Sequence, residues 1–341
     1  MPSLKQLKHA IRNMAKIDVN SLSRIDGISN SLRAIERGQA SIAGDIALLH
    51  GGVTELAEVA KAQEMEREQE QPVTSSVLDG KLVFEYTYTP AVRDLKAGPA
   101  GKRLMAMLDE RVDAYRGHLA GINALSDSLE KIPVQGSHEG LEPYWANHWF
   151  EGQDAASLYY FLVKNNPSVY MEVGSGNSTK FARKAINDHG LKTKIISIDP
   201  QPRADIDRLC DHVIRQKCED VEPSVFTSLS SSDILFIDNG HRSFQGSDVT
   251  VFFTEILPVL PKEMLFGIHD IFLPFDYPAS WLDRFYNEQY LLMAYLFGGM
   301  DGGSIELPVR HINLNGETRS VLNPELLDKM MIKGGAFWMR R

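Results

Sequence analysis

One stretch near the middle of the chain constrains the fold more than any other. It begins with the apolar run Val169–Val173 and continues into the glycine-punctuated turn Gly174-Ser175-Gly176. The run predicts a buried parallel strand, and the glycines allow a tight turn with room for a ligand against the backbone. Polar residues then begin a predicted helix over residues 179–187, capped by Asn177 or Ser178. A helix N-terminus beside a strand end is typical of a site for a nucleotide-like ligand.

A strand-end acid narrows the choice of ligand. The next predicted strand, Lys194–Ile198, is followed directly by Asp199. A carboxylate at the end of the second strand of a βαβ unit accepts hydrogen bonds from ribose hydroxyls. The dinucleotide fingerprint G-x-G-x-x-G needs a third glycine, but this chain has Thr179 there. It also carries an acid, Glu172, two residues before the first glycine.

The pattern E-x-G-x-G with a strand-end Asp resembles the class I S-adenosylmethionine (SAM)-dependent methyltransferases. The resemblance implies that the glycine loop faces the methionine part of SAM, that Glu172 supports the loop, and that Asp199 holds the ribose. It also implies that adenine meets the loop after the third strand, which contains Glu219. The predicted cofactor-binding residues are Glu172, Gly174, Ser175, Gly176, Asn177, Ser178, Asp199, Glu219 and Asp238.

Composition limits the functional class. The 341 residues have a formal net charge of −9, which disfavours a non-specific nucleic-acid binder. No run of about 18 apolar residues occurs, so the sequence predicts no membrane span. The two cysteines, Cys210 and Cys218, lack metal-ligand spacing. They are expected to stay reduced in a cytoplasmic protein.

The N-terminal region differs in pattern from the rest. Apolar residues recur at steps of three and four over residues 1–66, which predicts a coiled coil and hence a homo-oligomer. Glycines in this region keep open an alternative of shorter helices folded back on the domain. We therefore expect a coiled-coil oligomerisation region at 1–71 and a connector with one long helix at 72–140. A methyltransferase domain is expected at 141–341.

Strand and helix patterns alternate regularly from residue 169 onward. They predict an α/β, doubly wound Rossmann-like sheet. The resemblance adds the methyltransferase strand order, in which the last strand inserts antiparallel. Predicted strands cover residues 169–173, 194–198, 212–215, 233–238 and 264–269, with further candidates at 305–312 and 335–339. Predicted helices include 102–131, 154–164, 244–257 and 279–297.

Acids and histidines follow the fourth and fifth predicted strands, as Asp238-Asn-Gly-His241 and His269-Asp270. These segments resemble the small-molecule and glycan O-methyltransferases of the macrocin type, over about residues 141–341. The metal-dependent members hold Mg²⁺ at positions that correspond to Asp238, His269 and Asp270. His269 departs from that pattern, because Mg²⁺ prefers oxygen ligands, and leaves a softer metal or no metal open. Asp238 and Asp270 are the predicted ligands of any divalent metal.

Methyl transfer from a sulfonium needs an aligned acceptor that loses its proton. His241 is the first predicted general base and His269 the second, with Asp270 beside them as a catalytic residue. Either histidine is alternatively an ordinary loop residue bonded to the backbone. The predicted reaction is methylation of a hydroxyl on a small molecule or saccharide. A nicotinamide-dependent oxidoreductase and a coiled-coil scaffold with an inactive methyltransferase-like domain are the alternatives.

Overall fold

The structure is a computed structural model that describes residues 89–341, except 151, 203–205 and 331–332. The described residues form one compact unit, Thr89–Arg341. The predicted coiled coil at residues 1–71 and the alternating segment before residue 89 lie outside the described residues.

A seven-stranded sheet forms the centre of the described unit, in the order β3-β2-β1-β4-β5-β7-β6. The first five strands are parallel, and β7 lies antiparallel between β5 and β6. This arrangement confirms the predicted Rossmann-like methyltransferase sheet and its antiparallel insertion. The strands are β1 (Val169–Val173), β2 (Lys194–Ile198), β3 (His212–Ile214), β4 (Ile234–Ile237), β5 (Leu265–Ile268), β6 (Ser304–Pro308) and β7 (Phe337–Arg340).

Continuous apolar runs account for the middle of the sheet. Every residue of β4 and β5 is buried, as expected for parallel strands covered on both faces. Gly267 in β5 makes room for two large rings. A Cβ atom there would come within 2.8 Å of the side chains of Phe236 and Trp338. The glycine therefore lets Trp338 of β7 pack against Phe236 of β4.

Helices cover both faces of the sheet. They are α1 (Gly98–Asp109), α2 (Val112–Asn123), α3 (Ser126–Leu129), α4 (Gly152–Asn165), α5 (Asn177–His189), α6 (Pro223–Thr227), α7 (Asp248–Val251), α8 (Glu288–Phe297), α9 (Val309–Leu314), α10 (Glu317–Val321) and α11 (Pro324–Met330).

The single helix predicted over residues 102–131 is wrong, because the chain breaks it into α1, α2 and α3. The backbone leaves helical geometry at Arg111 (φ −118°, ψ 28°) and at Leu125 (φ −97°, ψ 9°). Apolar side chains of these helices, such as Leu104 and Leu119, are fully buried in the same core as the sheet. The described part of the predicted connector thus packs on the α/β unit.

Three other predicted elements are shorter than expected. The helix predicted at 244–257 is α-helical only in α7, then a π-helical turn (Phe252–Ile256) and a 3₁₀ turn (Leu257–Val259). The helix predicted at 279–297 is interrupted, because Phe285 has a left-handed φ of 55° between a 3₁₀ turn (Ala279–Arg284) and α8. The strand predicted at 305–312 ends at Pro308, which has no N–H to donate to the ladder.

None of the helices in the described ranges has the length and apolar character that crossing a bilayer requires.

Candidate functional site

The ends of four parallel strands lie side by side at one edge of the sheet. Just beyond each strand, a backbone amide still donates to a carbonyl of a neighbouring strand, at 2.8 to 3.1 Å. The residues that donate are Gly174, Asp199, Asp238 and His269. Their side chains and loops therefore share one crevice at the carboxyl ends of the strands, where open α/β sheets bind ligands.

The turn after β1 requires glycine at its first position. Gly174 has a φ of +77°, and a Cβ atom there would overlap the carbonyl oxygen of Asp238 at the end of β4. Apart from its neighbours in the chain, no heavy atom of the described residues lies within 4 Å of the place where a Cβ on Gly176 would be, so the loop backbone is open on that side. Gly174 thus keeps the loop tight against β4, while Gly176 leaves space for a ligand.

Glu172 is fully buried beneath this loop. Its carboxylate accepts hydrogen bonds from the hydroxyls of Tyr170 and Ser178, each at 3.0 Å, and a short one from Thr179. Burial raises the pKa of Glu172 to about 7, although these three hydrogen bonds act to lower it. The acid supports the loop from behind and does not face the crevice.

The cap of α5 differs from the prediction. Gly176 is the N-cap residue, and its amide donates to the Thr179 side chain at 3.0 Å. The prediction that Asn177 or Ser178 caps the helix is wrong, because both lie inside the first turn. Ser178 is buried and donates to Glu172, whereas Asn177 is half-buried at the start of the helix.

Asp199 lies across from the glycine loop at the end of β2. Its Oδ2 accepts from the backbone amide of Ser175 at 2.8 Å, and its Oδ1 accepts from the amide of Gln201 at 2.8 Å. The Ser175 hydroxyl also donates to Oδ2, at 3.3 Å. A carboxylate oxygen has two lone-pair sites, so Oδ2 is fully used and Oδ1 keeps one site for a ligand. The glycine loop and the strand-end acid therefore lie side by side, and their contacts with a cofactor remain predictions.

Glu219 lies in the 3₁₀ turn Cys218–Asp220 after β3. It lines a cavity of about 210 Å³, together with Glu222, Phe226 and Ile256. Asp199 and the glycine loop are not among the lining residues. A contact between Glu219 and adenine remains a prediction.

Carboxylates surround His241, which follows β4 and is only 4% exposed. Its Nε2 lies 3.4 Å from Asp238 Oδ1 and 3.4 Å from Asp270 Oδ2. Its Nδ1 lies 2.8 Å from Glu288 Oε2, and Glu288 is fully buried at the first position of α8. The ring also packs on Tyr286, with centroids 4.7 Å apart.

His269, at the end of β5, is held between the same acids and a further one. Its Nδ1 lies 3.3 Å from Asp238 Oδ1 and 3.6 Å from Asp270 Oδ1, while its Nε2 lies 3.1 Å from Asp154 Oδ2. Asp154 is buried in the first turn of α4 and also accepts from the backbone amides of Gly335 and Ala336. Neither histidine is an ordinary loop residue bonded only to the backbone.

Neighbouring charges shift the pKa values of the histidines and of Asp238 in opposite directions. Burial would lower the pKa of His241, but the carboxylates around it, led by Asp238 and Glu288, raise its pKa well above the ordinary value. The same balance raises the pKa of His269. Burial would raise the pKa of Asp238, yet the two imidazoles lower it well below its ordinary range. A ring protonated in this way has no lone pair for a substrate proton, so a general-base role for either histidine requires that its own proton be displaced first.

Asp154 and Glu288 are the site residues that the sequence analysis missed. Asp154 precedes β1, and Glu288 follows a 3₁₀ turn far from the strand-end motifs. Neither stands in a motif, and the only local signal is an acid in the first turn of each helix. Their buried contacts depend on tertiary packing, which periodicity does not report.

Aromatic rings and arginines line the side of the cluster that follows β5. Tyr277 and Trp281 lie nearly parallel, with centroids 6.4 Å apart. The guanidinium of Arg284 lies 4.3 Å from the Trp281 ring centroid, and that of Arg242 lies 5.1 Å from the Tyr286 ring. Because Tyr286 also packs on His241, this wall adjoins the acids and histidines.

The part of the chain that forms this crevice is similar to a known protein family. Residues 171–271, from the middle of β1 to just past β5, match a family model described as a methyltransferase domain. Together with the strand order, this match supports a SAM-dependent methyltransferase whose cofactor is S-adenosylmethionine. No curated protein matches the sequence significantly.

Two solved structures are similar at low identity. SAH-bound PaMTH1, a methyltransferase of Podospora anserina, is 12% identical, with a TM-score of 0.33; the alignment covers 75% of this chain and 98% of that chain. The plantazolicin methyltransferase BpumL in complex with SAH is 11% identical, with a TM-score of 0.33; the alignment covers 73% of this chain and 94% of that chain. Likenesses at this level do not bear on the acceptor of the present chain.

Proposed function

We propose that this protein transfers the methyl group of SAM to a hydroxyl of a small molecule or glycan. One observation carries the proposal: Asp238 contacts both the glycine loop and the acid–histidine cluster. Its carbonyl oxygen lies where a side chain on Gly174 would be, and its carboxylate lies 3.4 Å from His241. A cofactor against the glycine loop would therefore have its sulfonium close to the acid–histidine cluster.

The residues around the loop suit SAM. The open backbone face at Gly176 leaves room for the methionine part, and Asp199 Oδ1 keeps a lone pair for a ribose hydroxyl. Glu172 acts from below by fixing the turn through Ser178 and Thr179. Ser175, Asn177 and Asp238 are proposed to face the cofactor, and Glu219 to lie beyond its adenine.

Only two of the four acids in the cluster are partly exposed, while Asp154 and Glu288 are buried. The Asp238 and Asp270 side chains are 31% and 21% exposed, whereas those of both histidines are 6% exposed. We assign Asp238 and Asp270 to holding the acceptor hydroxyl in line with the methyl group. The hydroxyl becomes acidic as its oxygen bonds to the methyl carbon, and Asp270 takes its proton and passes it to solvent. His241 and His269 keep the two carboxylates ionised and oriented.

A divalent cation fits the same donor set. The ligand atoms of Asp238, His241 and Asp270 all lie within 4.8 Å of one another. A cation held by these residues would lower the pKa of an acceptor hydroxyl bound beside it. The Asp270 oxygen on the His269 side would remain free to accept the released proton.

The aromatic wall favours a saccharide among possible acceptors. The partly exposed rings of Trp281 and Tyr286 suit the apolar faces of sugar rings, and the neighbouring arginines suit an anionic substituent. Tyr277 is only 3% exposed and packs against both rings. The wall adjoins the cluster, because Tyr286, in the chain after β5, packs on both Trp281 and His241. We therefore place the acceptor between these rings and the acids.

The N-terminal heptad pattern supports a further part of the proposal. We assign residues 1–71, which lie outside the described residues, to a coiled coil that joins copies of the chain. The unpaired thiols of Cys210 and Cys218 favour the reducing cytoplasm as the place of action. Light scattering on the full chain and on a chain without residues 1–71 tests the first point: an unchanged assembly would refute it.

The cofactor assignment is tested by thermal shift, because a ligand that binds only the folded state raises the melting temperature. SAM and SAH should raise it, whereas NAD⁺ should not, and Asp199→Ala should remove the SAM response. No binding of SAM at millimolar concentration would overturn the proposal. Tritium transfer from methyl-labelled SAM to a panel of glycans and sugar phosphates then identifies the acceptor.

A further inference from the structure

The ligand atoms at the ends of β4 and β5 have the spacing of a coordination site. His241 Nε2 lies 3.4 Å from Asp238 Oδ1 and 3.4 Å from Asp270 Oδ2. Two ligands that each lie about 2.1 Å from a cation are about 3.4 Å apart when the coordination is tetrahedral. The three side chains come from two neighbouring strand ends, so a rigid sheet fixes their spacing.

We infer that His241 is a metal ligand, and that with Asp238 and Asp270 it forms a site selective for a first-row transition-metal ion over magnesium. This inference deepens the function proposed above, because the ion would lie where the acceptor hydroxyl is expected. The selectivity follows from the donor set. Magnesium takes oxygen ligands in near-octahedral geometry, whereas an imidazole nitrogen suits zinc, iron, nickel or copper, and cobalt lies between iron and nickel in affinity.

Glu288 provides the support that a metal-binding imidazole requires. Metal-bound histidines generally donate their second ring N–H to a carboxylate or carbonyl, which fixes the tautomer and the ring orientation. Here Glu288 Oε2 lies 2.8 Å from His241 Nδ1, and the glutamate is fully buried. When a cation displaces the proton on Nε2, the proton that stays on Nδ1 leaves the Nε2 lone pair for the ion between Asp238 and Asp270. Glu288 is therefore a positioning residue.

The backbone locks the same pair together. The amides of Asn287 and Glu288 both donate to the carbonyl oxygen of His241, at 2.9 and 3.3 Å. The Asn287 side chain accepts from the amide of Ser243 at 2.6 Å. The segment before α8 thus holds the loop after β4 at both the side chain and the main chain. This double attachment pre-organises the ring.

His269 has a different role, although it stands at the position where the resembled metal-dependent methyltransferases carry a carboxylate ligand. Its Nδ1 faces Asp238 and Asp270 and its Nε2 faces Asp154, so both histidines have carboxylates at both ring nitrogens, and the difference lies in the spacing of the ligand atoms. Its nitrogen is not in the group of atoms that lie within 4.8 Å of one another. His269 therefore holds the two ligand carboxylates from the side opposite His241.

A cation would also balance the charges of the cluster. Among the described residues, four carboxylates meet two imidazoles, and Arg310 lies near enough to Asp154 to act on its charge. When all four acids are ionised, negative groups outnumber positive ones even if both rings carry a proton. Buried carboxylates are normally paired or bound to metals. The remaining explanation is an ion-paired network without metal, and a binding experiment separates the two.

The experiment uses the full chain, stripped with a chelator and titrated calorimetrically with cobalt, zinc, manganese and magnesium chlorides. Cobalt binding is also followed by visible absorption, which reports the coordination number and changes when a ligand is lost. We expect one ion per chain, bound at least about 100-fold more tightly for cobalt or zinc than for magnesium. Glu288→Gln should weaken binding by about 10- to 100-fold. His241→Gln should weaken it more and change the cobalt spectrum.

His311→Gln is the matched control. His311 is also buried and carboxylate-bonded, with Nε2 at 2.8 Å from Asp109, but it lies in α9 outside the cluster. Its loss should leave metal binding unchanged. Asp270→Asn, at a partly exposed position, provides a second ligand variant if His241→Gln does not fold. Circular dichroism and tryptophan fluorescence check folding.

Two results would overturn the inference: no cobalt or zinc bound more tightly than millimolar, or equal binding in His241→Gln, Asp270→Asn and the unaltered chain. SAM binding is measured on the same samples by thermal shift. If SAM binds and the metals do not, the metal inference fails and the proposed function stands. If the metals bind and SAM does not, the proposed function fails and the metal site stands.

Discussion

Replacement of Gly174 by alanine tests whether the glycine loop and the β4 end are one rigid unit. The alanine would have to adopt a φ of +77°, which costs an L-residue about 1–2 kcal/mol. Its methyl group would also overlap the carbonyl oxygen of Asp238. Relief of such overpacking typically costs a further 1–3 kcal/mol, roughly. We expect Gly174→Ala to lower the free energy of unfolding by about 2–5 kcal/mol.

Gly190 offers a control that separates the two contributions. It caps the end of α5 with a φ of +59°, but in the part of the chain that the structure describes no heavy atom other than those of its chain neighbours lies within 4 Å of the place of its Cβ. Gly190→Ala should therefore cost only the conformational part, about 1–2 kcal/mol. The difference between the two variants, about 1–3 kcal/mol, measures the contact between the loop and Asp238.

The assay is urea denaturation followed by tryptophan fluorescence. All four tryptophans of the chain lie in the described unit, so the signal reports this unit alone. Calorimetric titration with SAM provides the second measurement, and only Gly174→Ala should weaken binding, because the clash moves the loop off its place above Glu172. Equal loss of stability in both variants, with unchanged SAM affinity, would refute the reasoning.

Three further predictions follow from single contacts. Asp199→Ala should weaken SAM binding by about 10- to 100-fold, the effect of losing hydrogen bonds to a charged group, as calorimetry would detect. The pKa of Glu172 is raised from 4.5 to about 7, so the contribution of Glu172 to the free energy of unfolding should fall by about 3 kcal/mol as pH rises from 4.5 to 7, measured as the difference between the wild-type chain and Glu172→Gln. Glu172→Gln should lack that decline in urea titrations across this range, and parallel curves would contradict the burial effect. Gly267→Ala should destabilise the fold by about 1–3 kcal/mol through contact with Phe236 and Trp338, and a neutral effect on denaturation would show that the rings yield.

The sheet could be predicted from the sequence because its strands are apolar runs that end in turn residues. Val169–Val173 and Lys194–Ile198 have the predicted bounds, since each is followed at once by glycine or by an acid. The α-helical boundaries were less predictable. Phe285 lies in an otherwise helical pattern, yet it takes a left-handed conformation because the next residues bond to the His241 carbonyl. A contact between distant segments overrides local propensity there.

The residues of the candidate site also divide into those that the sequence could locate and those that it could not. Asp238, His241, His269 and Asp270 could be located from the sequence because parallel strands bring their ends to one edge. Which nitrogen faces which acid could not be predicted, because the answer depends on Glu288 and Asp154. Both acids enter the cluster from helices with no strand-end motif. The sequence could therefore identify the four strand-end residues that meet, but not the two buried acids that orient the histidines.

Asp238 links the two halves of this crevice through separate parts of one residue. Its main-chain oxygen fixes the approach of the Gly174 loop, and its side chain is shared by His241 and His269. A shift of β4 along its axis would therefore move the glycine loop and the acid–histidine cluster together. Backbone changes at this strand end should impair SAM binding and metal binding in parallel, whereas side-chain changes such as Asp238→Asn should affect metal binding first. Calorimetry with SAM and with cobalt on Gly174→Ala and Asp238→Asn distinguishes the two, and equal effects of both variants on both ligands would argue against this division of roles.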